Sequence, residues 1–195
     1  RARALLTGER TALNLMQRLC GIATLTRRYV AAAGSCAVRV LDTRKTTPLL
    51  RRLEKYAVRC GGGTNHRMGL YDMAMIKDNH RAVWAAAGGG GLVQAVEAIR
   101  ARFPGVPVEV EVESLAEFDE VSAAQPDWIL LDNMSSADMA ACVARRRHGI
   151  QLEASGGITL ERMAEVAATG VDAISVGALT HSVPSVDLAL EWRHD

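Results

Sequence analysis

Six short apolar runs of this chain end in residues that could do chemistry. In chain order the ends read Asp42-Thr43-Arg44-Lys45, Lys77-Asp78-Asn79-His80, Glu111 with Glu113, Asp132-Asn133, Ser155-Gly156-Gly157 and Val176-Gly177-Ala178. Asn65-His66-Arg67 lies in the loop ahead of the second run. Cations come early, carboxylates in the middle, and small Gly-rich loops last. Arg44, Lys45, His66, Arg67 and Lys77 on one rim would repel one another unless solvent or anions screened them. They imply a ligand with several negative charges, carboxylates and phosphates together. A solvated surface patch is the plainer reading of charged residues. It is weaker here because these residues terminate apolar runs or sit beside glycine.

Glu111 and Asp132 end neighbouring runs and are expected to face one cavity. Carboxylates beside a phosphate site suit Mg²⁺ or sugar hydroxyls, with ion pairing to the cations as the alternative. Glu109, Glu111 and Glu113 alternate onto one face, of which one or two reach the pocket. Ser155-Gly156-Gly157-Ile158 is expected to lead straight into a helix and aim its amides at an anion. Gly177 lets the next strand end come equally close. Tight turns that need glycine explain either loop alone; two adjacent loops favour phosphate. Only three of the 23 Lys+Arg residues are lysine, namely Lys45, Lys55 and Lys77. Where Arg is the default cation, Lys45 and Lys77 suggest sites that want a compact ammonium. Lys55 reads as chance.

The elements that position these residues follow from hydrophobic period. Thr11 to Ala33 predicts one long helix, or two joined near Gly21. A strand over Ala37 to Leu41 precedes a helix opened by Pro48. Met73 to Ile76 is a strand, and Leu92 to Arg102 a helix. Strands over Val108–Val112, Trp128–Leu131, Gln151–Ala154 and Asp172–Val176 alternate with helices over 115–124, 136–147 and 159–168. Ser114, with Glu117 three residues on, has capping-box spacing. Asp187 to Leu190 is a candidate last strand. Such alternation is the mark of βα units on a parallel sheet. The first strand lacks a Gly-x-Gly-x-x-Gly turn, which argues against a dinucleotide fold. The expectation is an incomplete α/β barrel of six or seven parallel strands, smaller than the eightfold form, over residues 35–195. Residues 1–34 form a helical lead-in.

The chain has 195 residues, 49% hydrophobic and 23% charged, with a formal net charge of +1. That composition excludes a disordered chain, and the charge balance argues against a nucleic-acid partner. No apolar run is long enough for a membrane span. Cys20, Cys36, Cys60 and Cys142 show no metal-ligand spacing and read as reduced, mostly buried thiols of a cytoplasmic protein. The first residue is Arg1 rather than Met, so the chain reads as trimmed.

Several strings resemble the quinolinate phosphoribosyltransferase family. They are Glu9-Arg10-Thr11-Ala12-Leu13-Asn14, Asp42-Thr43-Arg44-Lys45-Thr46-Thr47-Pro48, Asn65-His66-Arg67-Met68-Gly69-Leu70, Ile76-Lys77-Asp78-Asn79-His80, Leu130-Leu131-Asp132-Asn133-Met134 and Glu153-Ala154-Ser155-Gly156-Gly157-Ile158. Two departures are Leu49, where the family usually has Gly, and Cys20, where it usually has Ser. The family also carries an N-terminal α/β domain that this sequence lacks.

The resemblance implies a pentosyltransferase of NAD biosynthesis. It joins quinolinate to phosphoribosyl pyrophosphate and gives nicotinate mononucleotide, pyrophosphate and CO₂. It implies that Thr43, Arg44, Lys45, His66, Arg67 and Lys77 bind the quinolinate carboxylates and departing pyrophosphate. Glu111 and Asp132 would hold ribose hydroxyls and Mg²⁺. Ser155, Gly156, Gly157, Val176, Gly177 and Ala178 would hold the 5′-phosphate. Lys45, Lys77, Glu111 and Asp132 are the catalytic candidates, Lys77 steering decarboxylation. Arg10 would reach a neighbouring subunit's site, in a homodimer or dimer-based hexamer. A related phosphoribosyltransferase-like protein of molybdate operons shares the barrel, but the Lys77-Asp78-Asn79-His80 string and the Glu111/Asp132 pair favour the quinolinate enzyme. A non-catalytic barrel binding a phosphorylated ligand is the alternative of a different class.

Overall fold

Alternating side chains decide how the strands are used. The computed structural model describes residues 2–191; residues 192–195, the end of the expected barrel domain, lie outside the described residues. The strands are β1 (Arg39–Leu41), β2 (Ala74–Ile76), β3 (Val108–Val112), β4 (Trp128–Asp132), β5 (Gln151–Ser155) and β6 (Ala173–Ser175). All pair in parallel, in the order β1-β6-β5-β4-β3-β2. β1 and β2 are the two ends and do not pair, so the sheet stays open at that seam. Val40, Ile76, Val108, Val110, Val112, Ile129, Leu131, Leu152, Ala154 and Ile174 form one apolar core with the helices. The opposite parity belongs to the inner face. There the register sets Glu111 beside Leu130, and Leu130 beside Glu153.

The helices are α1 (Ala2–Ala32), α2 (Arg51–Cys60), α3 (Asp78–Ala86), α4 (Leu92–Arg102), α5 (Leu115–Ala123), α6 (Ser136–Arg145), α7 (Met163–Ala167) and α8 (Ala178–His181). α1 is a single helix. Gly21 does not break it: a Cβ there would strike the Pro184 carbonyl, so glycine lets the C-terminal segment cross. Arg18 on α1 binds Glu54 of α2 at 3.0 Å and donates to the carbonyls of Thr180 and Val183. Glu54, fully buried, also accepts from Thr47 Oγ1 at 2.7 Å. This network joins α1, α2 and the loop after β1. Ser114 caps α5 by accepting from the Glu117 N–H. The return arm of the box lands one residue early, because Glu117 accepts from the Glu113 N–H at 2.8 Å.

Other expectations are corrected. Residues 187–190 form no strand, and α7 begins at Met163 rather than Thr159. The Lys77-Asp78-Asn79-His80 string runs directly into α3. Cys20, Cys36 and Cys60 are exposed, and Cys142 alone among the cysteines is buried. No helix among the described residues is long and apolar enough to cross a membrane.

Pro48 does not open α2, which starts at Arg51. Between them Leu49 takes φ 67°, and its side chain is fully exposed. A left-handed residue with a Cβ costs roughly 1–2 kcal/mol. Glycine's extra freedom in the unfolded chain returns about 0.4–1 kcal/mol of that. Leu49→Gly should therefore stabilise the fold by about 0.5–1 kcal/mol, raising Tm by about 1–4 °C. Calorimetry checks this; a lower Tm for the variant would contradict the strain argument.

Candidate active site

At the C-terminal edge of the strands lies a cavity of about 320 Å³. Thr43, Arg44, Lys45, His66, Arg67, Lys77, Glu111, Asp132 and Ser155 line it, as the strand-end reading expected. Met75, Leu130, Glu153 and Ser175 line it too and were not foreseen. A larger cavity of about 600 Å³ opens between α3 and α4 around Trp84, Leu92, Ile99 and Phe103. It lies away from this convergence of charge.

The rim is built from a buried anchor. Asp42 follows β1 and is fully buried. It accepts from Lys55 Nζ, from Asn65 Nδ2 at 2.6 Å and from the His66 N–H at 2.9 Å. Lys55, also fully buried, donates in addition to the His66 carbonyl at 3.0 Å. Burial pushes the Asp42 carboxyl up and the Lys55 ammonium down, and each partner's charge opposes the shift. Lys55 is thus no chance lysine. It needs a compact ammonium to bridge two elements inside the protein, and nothing in its local sequence signals that.

His66 and Arg67 enter the cavity from this anchor. Arg67 Nη1 donates to the Met73 carbonyl at 3.2 Å and Nη2 contacts Met75 Sδ at 3.3 Å, both neutral partners. Burial, then the charge of Arg44, holds its guanidinium below the usual value. Arg44 Nε is buried with no hydrogen-bond partner among the described residues. The negative charge beneath these two cations comes from Glu109 and Glu153, which the sequence reading missed as site residues. Both lie on the inner face with Glu111, a parity readable from Glu109-x-Glu111 and from Glu153-x-Ser155. His66 Nε2 faces Glu153 Oε2 at 3.2 Å and Glu109 Oε2 at 3.4 Å. By donor type this trio is the group that could hold a metal ion among the described residues.

The other carboxylates stand higher. Lys77 Nζ pairs with Glu111 at 2.5 Å, with the ammonium still partly exposed. Asp132 accepts from Asn133 Nδ2 at 2.9 Å. Glu111 and Asp132 are two carboxylates, one already paired, so they fit Mg²⁺ only where substrate oxygens complete its shell.

The Gly-rich loops divide. Gly156 has φ 83°, and a Cβ there would strike Asn133, so packing requires glycine. Gly157, with φ 56°, faces open space. A Cβ on Gly177 would lie 2.8 Å from His181 Nε2 and 3.7 Å from Lys45 Cδ, which places that loop beside the rim. His181 was not foreseen. Gly156, Gly157, Val176, Gly177 and Ala178 do not line the cavity itself. Val176 is corrected as an anion ligand: its side chain is in the core and its N–H donates to the Leu41 carbonyl at 3.0 Å. The loop after Ser155 does not lead straight into a helix, because α7 starts only at Met163. Arg10 is exposed on α1 and does not line the cavity.

Burial and then the charge of Glu153 push the Glu109 carboxyl from an ordinary 4.5 up to about 7. Below about pH 4.5 both folded and unfolded chains hold this proton. Between 4.5 and 7 the unfolded chain releases it first, so folding loses stability as pH rises; above 7 the penalty is constant. Glu109→Gln removes the titration. The Tm difference in favour of the variant should widen from pH 4.5 to 7 and then level off. A pH-independent difference would refute the assignment.

Residues 22–191 match the family Quinolinate phosphoribosyl transferase, C-terminal domain. A Mycobacterium leprae protein named nicotinate-nucleotide pyrophosphorylase (carboxylating) is 50% identical over 97% of this chain and 66% of its own length. A Bacillus subtilis protein, named as a probable member of the same activity, is 49% identical over 97% of this chain and 64% of its own. Among solved structures, NadC from Streptococcus pyogenes has TM-score 0.87 at 47% identity, covering 95% of this chain and 64% of that one. The pyrophosphorylase from Francisella tularensis has TM-score 0.89 at 43% identity, covering 96% and 65%. The chain spans just under two thirds of the length of these relatives. By the match to its C-terminal domain, this chain belongs to the quinolinate phosphoribosyl transferase family.

Proposed function

We propose that this chain is the catalytic domain of an enzyme that transfers phosphoribosyl from phosphoribosyl pyrophosphate to quinolinate. The products are nicotinate mononucleotide, pyrophosphate and CO₂. One observation carries the reading: Arg44, Lys45, Arg67 and Lys77 surround the same cavity as Glu111 and Asp132. A dicarboxylate and a pyrophosphate need the first set, and a developing sugar cation needs the second. The names of the relatives support it.

Arg44 and Arg67, with Thr43 and His66, hold the two carboxylates of quinolinate. Lys45 and Lys77 neutralise the departing pyrophosphate, Lys77 moving from Glu111 to do so. As the pyridine nitrogen attacks the anomeric carbon, positive charge spreads over the ribose ring, and Glu111 and Asp132 stabilise it. Ser155, Gly156, Gly157, Gly177 and Ala178 hold the 5′-phosphate. The quaternised nitrogen then stabilises the electron pair left on the adjacent ring carbon as the C–carboxylate bond breaks and CO₂ leaves, steered by Lys77, and a proton from solvent is taken up at that carbon. Mg²⁺, when bound, neutralises pyrophosphate charge, and Glu111 and Asp132 would hold it. The free cysteines support a reducing compartment, the cytoplasm.

Arg10 acts in a neighbouring subunit, in a dimer or dimer-based hexamer. Its exposure outside its own cavity supports this, as do Leu5 and Leu6, which leave the same stretch of α1 exposed and apolar. A symmetric pair of chains would then be the smallest complete unit.

Glu111→Gln and Asp132→Asn should lower kcat more than they weaken quinolinate binding. Arg67→Ala should instead weaken quinolinate binding by about 2–5 kcal/mol. Steady-state kinetics separates the two; wild-type affinity in Arg67→Ala would remove Arg67 from the site. For assembly, Arg10→Ala and Lys77→Ala chains should each be nearly inactive alone and regain activity when mixed. No recovery despite demonstrated subunit exchange would refute the placement of Arg10.

A further inference from the structure

The floor of the cavity poses an electrostatic question that the proposed chemistry does not use. Glu109 and Glu153 are 0% and 2% exposed, and both carboxylates face one imidazole nitrogen. We propose that Glu109 and Glu153 are positioning residues: they fix His66 as its Nε2–H tautomer and leave Nδ1 to hold the Arg67 backbone at the anion site.

The other face of the ring decides the tautomer. The Arg67 N–H donates to His66 Nδ1 at 2.7 Å. A proton on Nδ1 would set two donors head to head, which excludes both the Nδ1–H tautomer and the doubly protonated ring. Nε2 then carries the one ring proton, at 3.2 Å from Glu153 Oε2 and 3.4 Å from Glu109 Oε2. The same contact excludes a divalent cation on Nε2, because a metal-bound imidazole donates its other N–H rather than receiving one.

Glu109 from β3 and Glu153 from β5 favour a second ring proton more than burial opposes it and lift the imidazole from an ordinary 6.5 to about 10, so it is the Arg67 N–H on Nδ1 that stands against that proton. Both carboxylates also act on Arg67, and Arg44 lies close enough to act on it too. The arginines therefore supply the balancing charge that the ring would otherwise supply. Lys55 sits on the His66 carbonyl and Asp42 on its N–H, so the backbone of the residue is held as firmly as its ring. With its main chain fixed at Nδ1, Arg67 spends its guanidinium only on a carbonyl and a thioether. It is left aimed and available for a carboxylate. What Arg67 binds rests on the function proposed above; the state of His66 does not.

The test is ¹H–¹⁵N correlation of the full chain labelled at histidine, with His66 assigned by difference against His66→Gln. Between about pH 5 and pH 8, where free histidine titrates, His66 should keep a constant Nε2–H signature. A doubly protonated or Nδ1–H ring overturns the proposal, and so does loss of the Nε2 proton on adding Zn²⁺. Glu109→Gln and Glu153→Gln keep an acceptor oxygen and should keep the Nε2–H signature. Glu153→Leu should lose the signature and weaken quinolinate binding about tenfold, with kcat changed less. Unchanged affinity in a folded Glu153→Leu chain overturns the positioning role. If that variant does not fold, the wild-type spectrum still decides the tautomer, and Glu153→Asp, which shortens the reach to Nε2, takes its place in the affinity test. A wild-type chain with the expected signature and no affinity for quinolinate would sink the proposed substrate and leave this inference standing.

Discussion

The pairing of Asp42 with Lys55 fixes the site because it ties the loop ahead of β2 to the end of β1, where the sheet is open. β1 and β2 never meet. The chain ahead of β2 instead makes a single parallel bridge, Leu41 to Thr64, with Thr64 donating to the Val40 carbonyl at 2.8 Å. One residue further on, pairing stops and Asp42 takes over, collecting the Asn65 side chain, the His66 N–H and Lys55. A buried pair of this kind adds little net stability, yet losing one partner strands a charge in the interior at a cost of about 3–5 kcal/mol. It therefore specifies the path of residues 65–67 more than it strengthens the fold. His66 and Arg67 reach the cavity only because that path crosses the seam.

A consistent electrostatic arrangement follows. Arginines that end or adjoin strands are partly desolvated, and alone they would repel. The inner parity of β3 and β5 places Glu109 and Glu153 beneath them, where a typical barrel would put apolar side chains. Negative charge is buried below, positive charge lies above it, and a second tier of carboxylates, Glu111 and Asp132, stands nearer the strand ends. An anionic ligand thus meets cations already held apart by fixed carboxylates, which keeps the cost of reorganisation low when it binds.

Much of this was readable from residue patterns, and the remainder failed for definite reasons. Period-two alternation gave the strands of the second half because each is bounded by a turn and covered on one side by apolar packing. The strand ends gave the rim because a parallel sheet aligns all of them at one edge. Lys55 was opaque because a lysine on a short helix normally faces water; its partner precedes it by 13 positions and only the tertiary path brings them together. Pro48 misled because a proline ahead of a helical pattern also suits a turn, and here Leu49 turns left-handed before the helix begins. Glu153 was hidden inside a string noticed for its glycines.

The glycine loops show where local pattern and tertiary role part. A Gly-rich turn followed by a helix is the usual anion cradle, since the helix N-terminus adds its dipole. Here α7 begins six residues after Gly157 and α8 spans four residues, so neither offers a long dipole. Gly156 is spent on packing against Asn133, the neighbour of Asp132. That coupling ties the shape of the loop after β5 to the carboxylate at the end of β4. A phosphate bound there must take its donors from the turn's own amides and from the side chains Lys45 and His181 that border Gly177. The charge of Lys45, rather than a helix dipole, then sets its strength. Salt should weaken so exposed a contact more than it would weaken an anion contact at the half-buried Arg44 and Arg67.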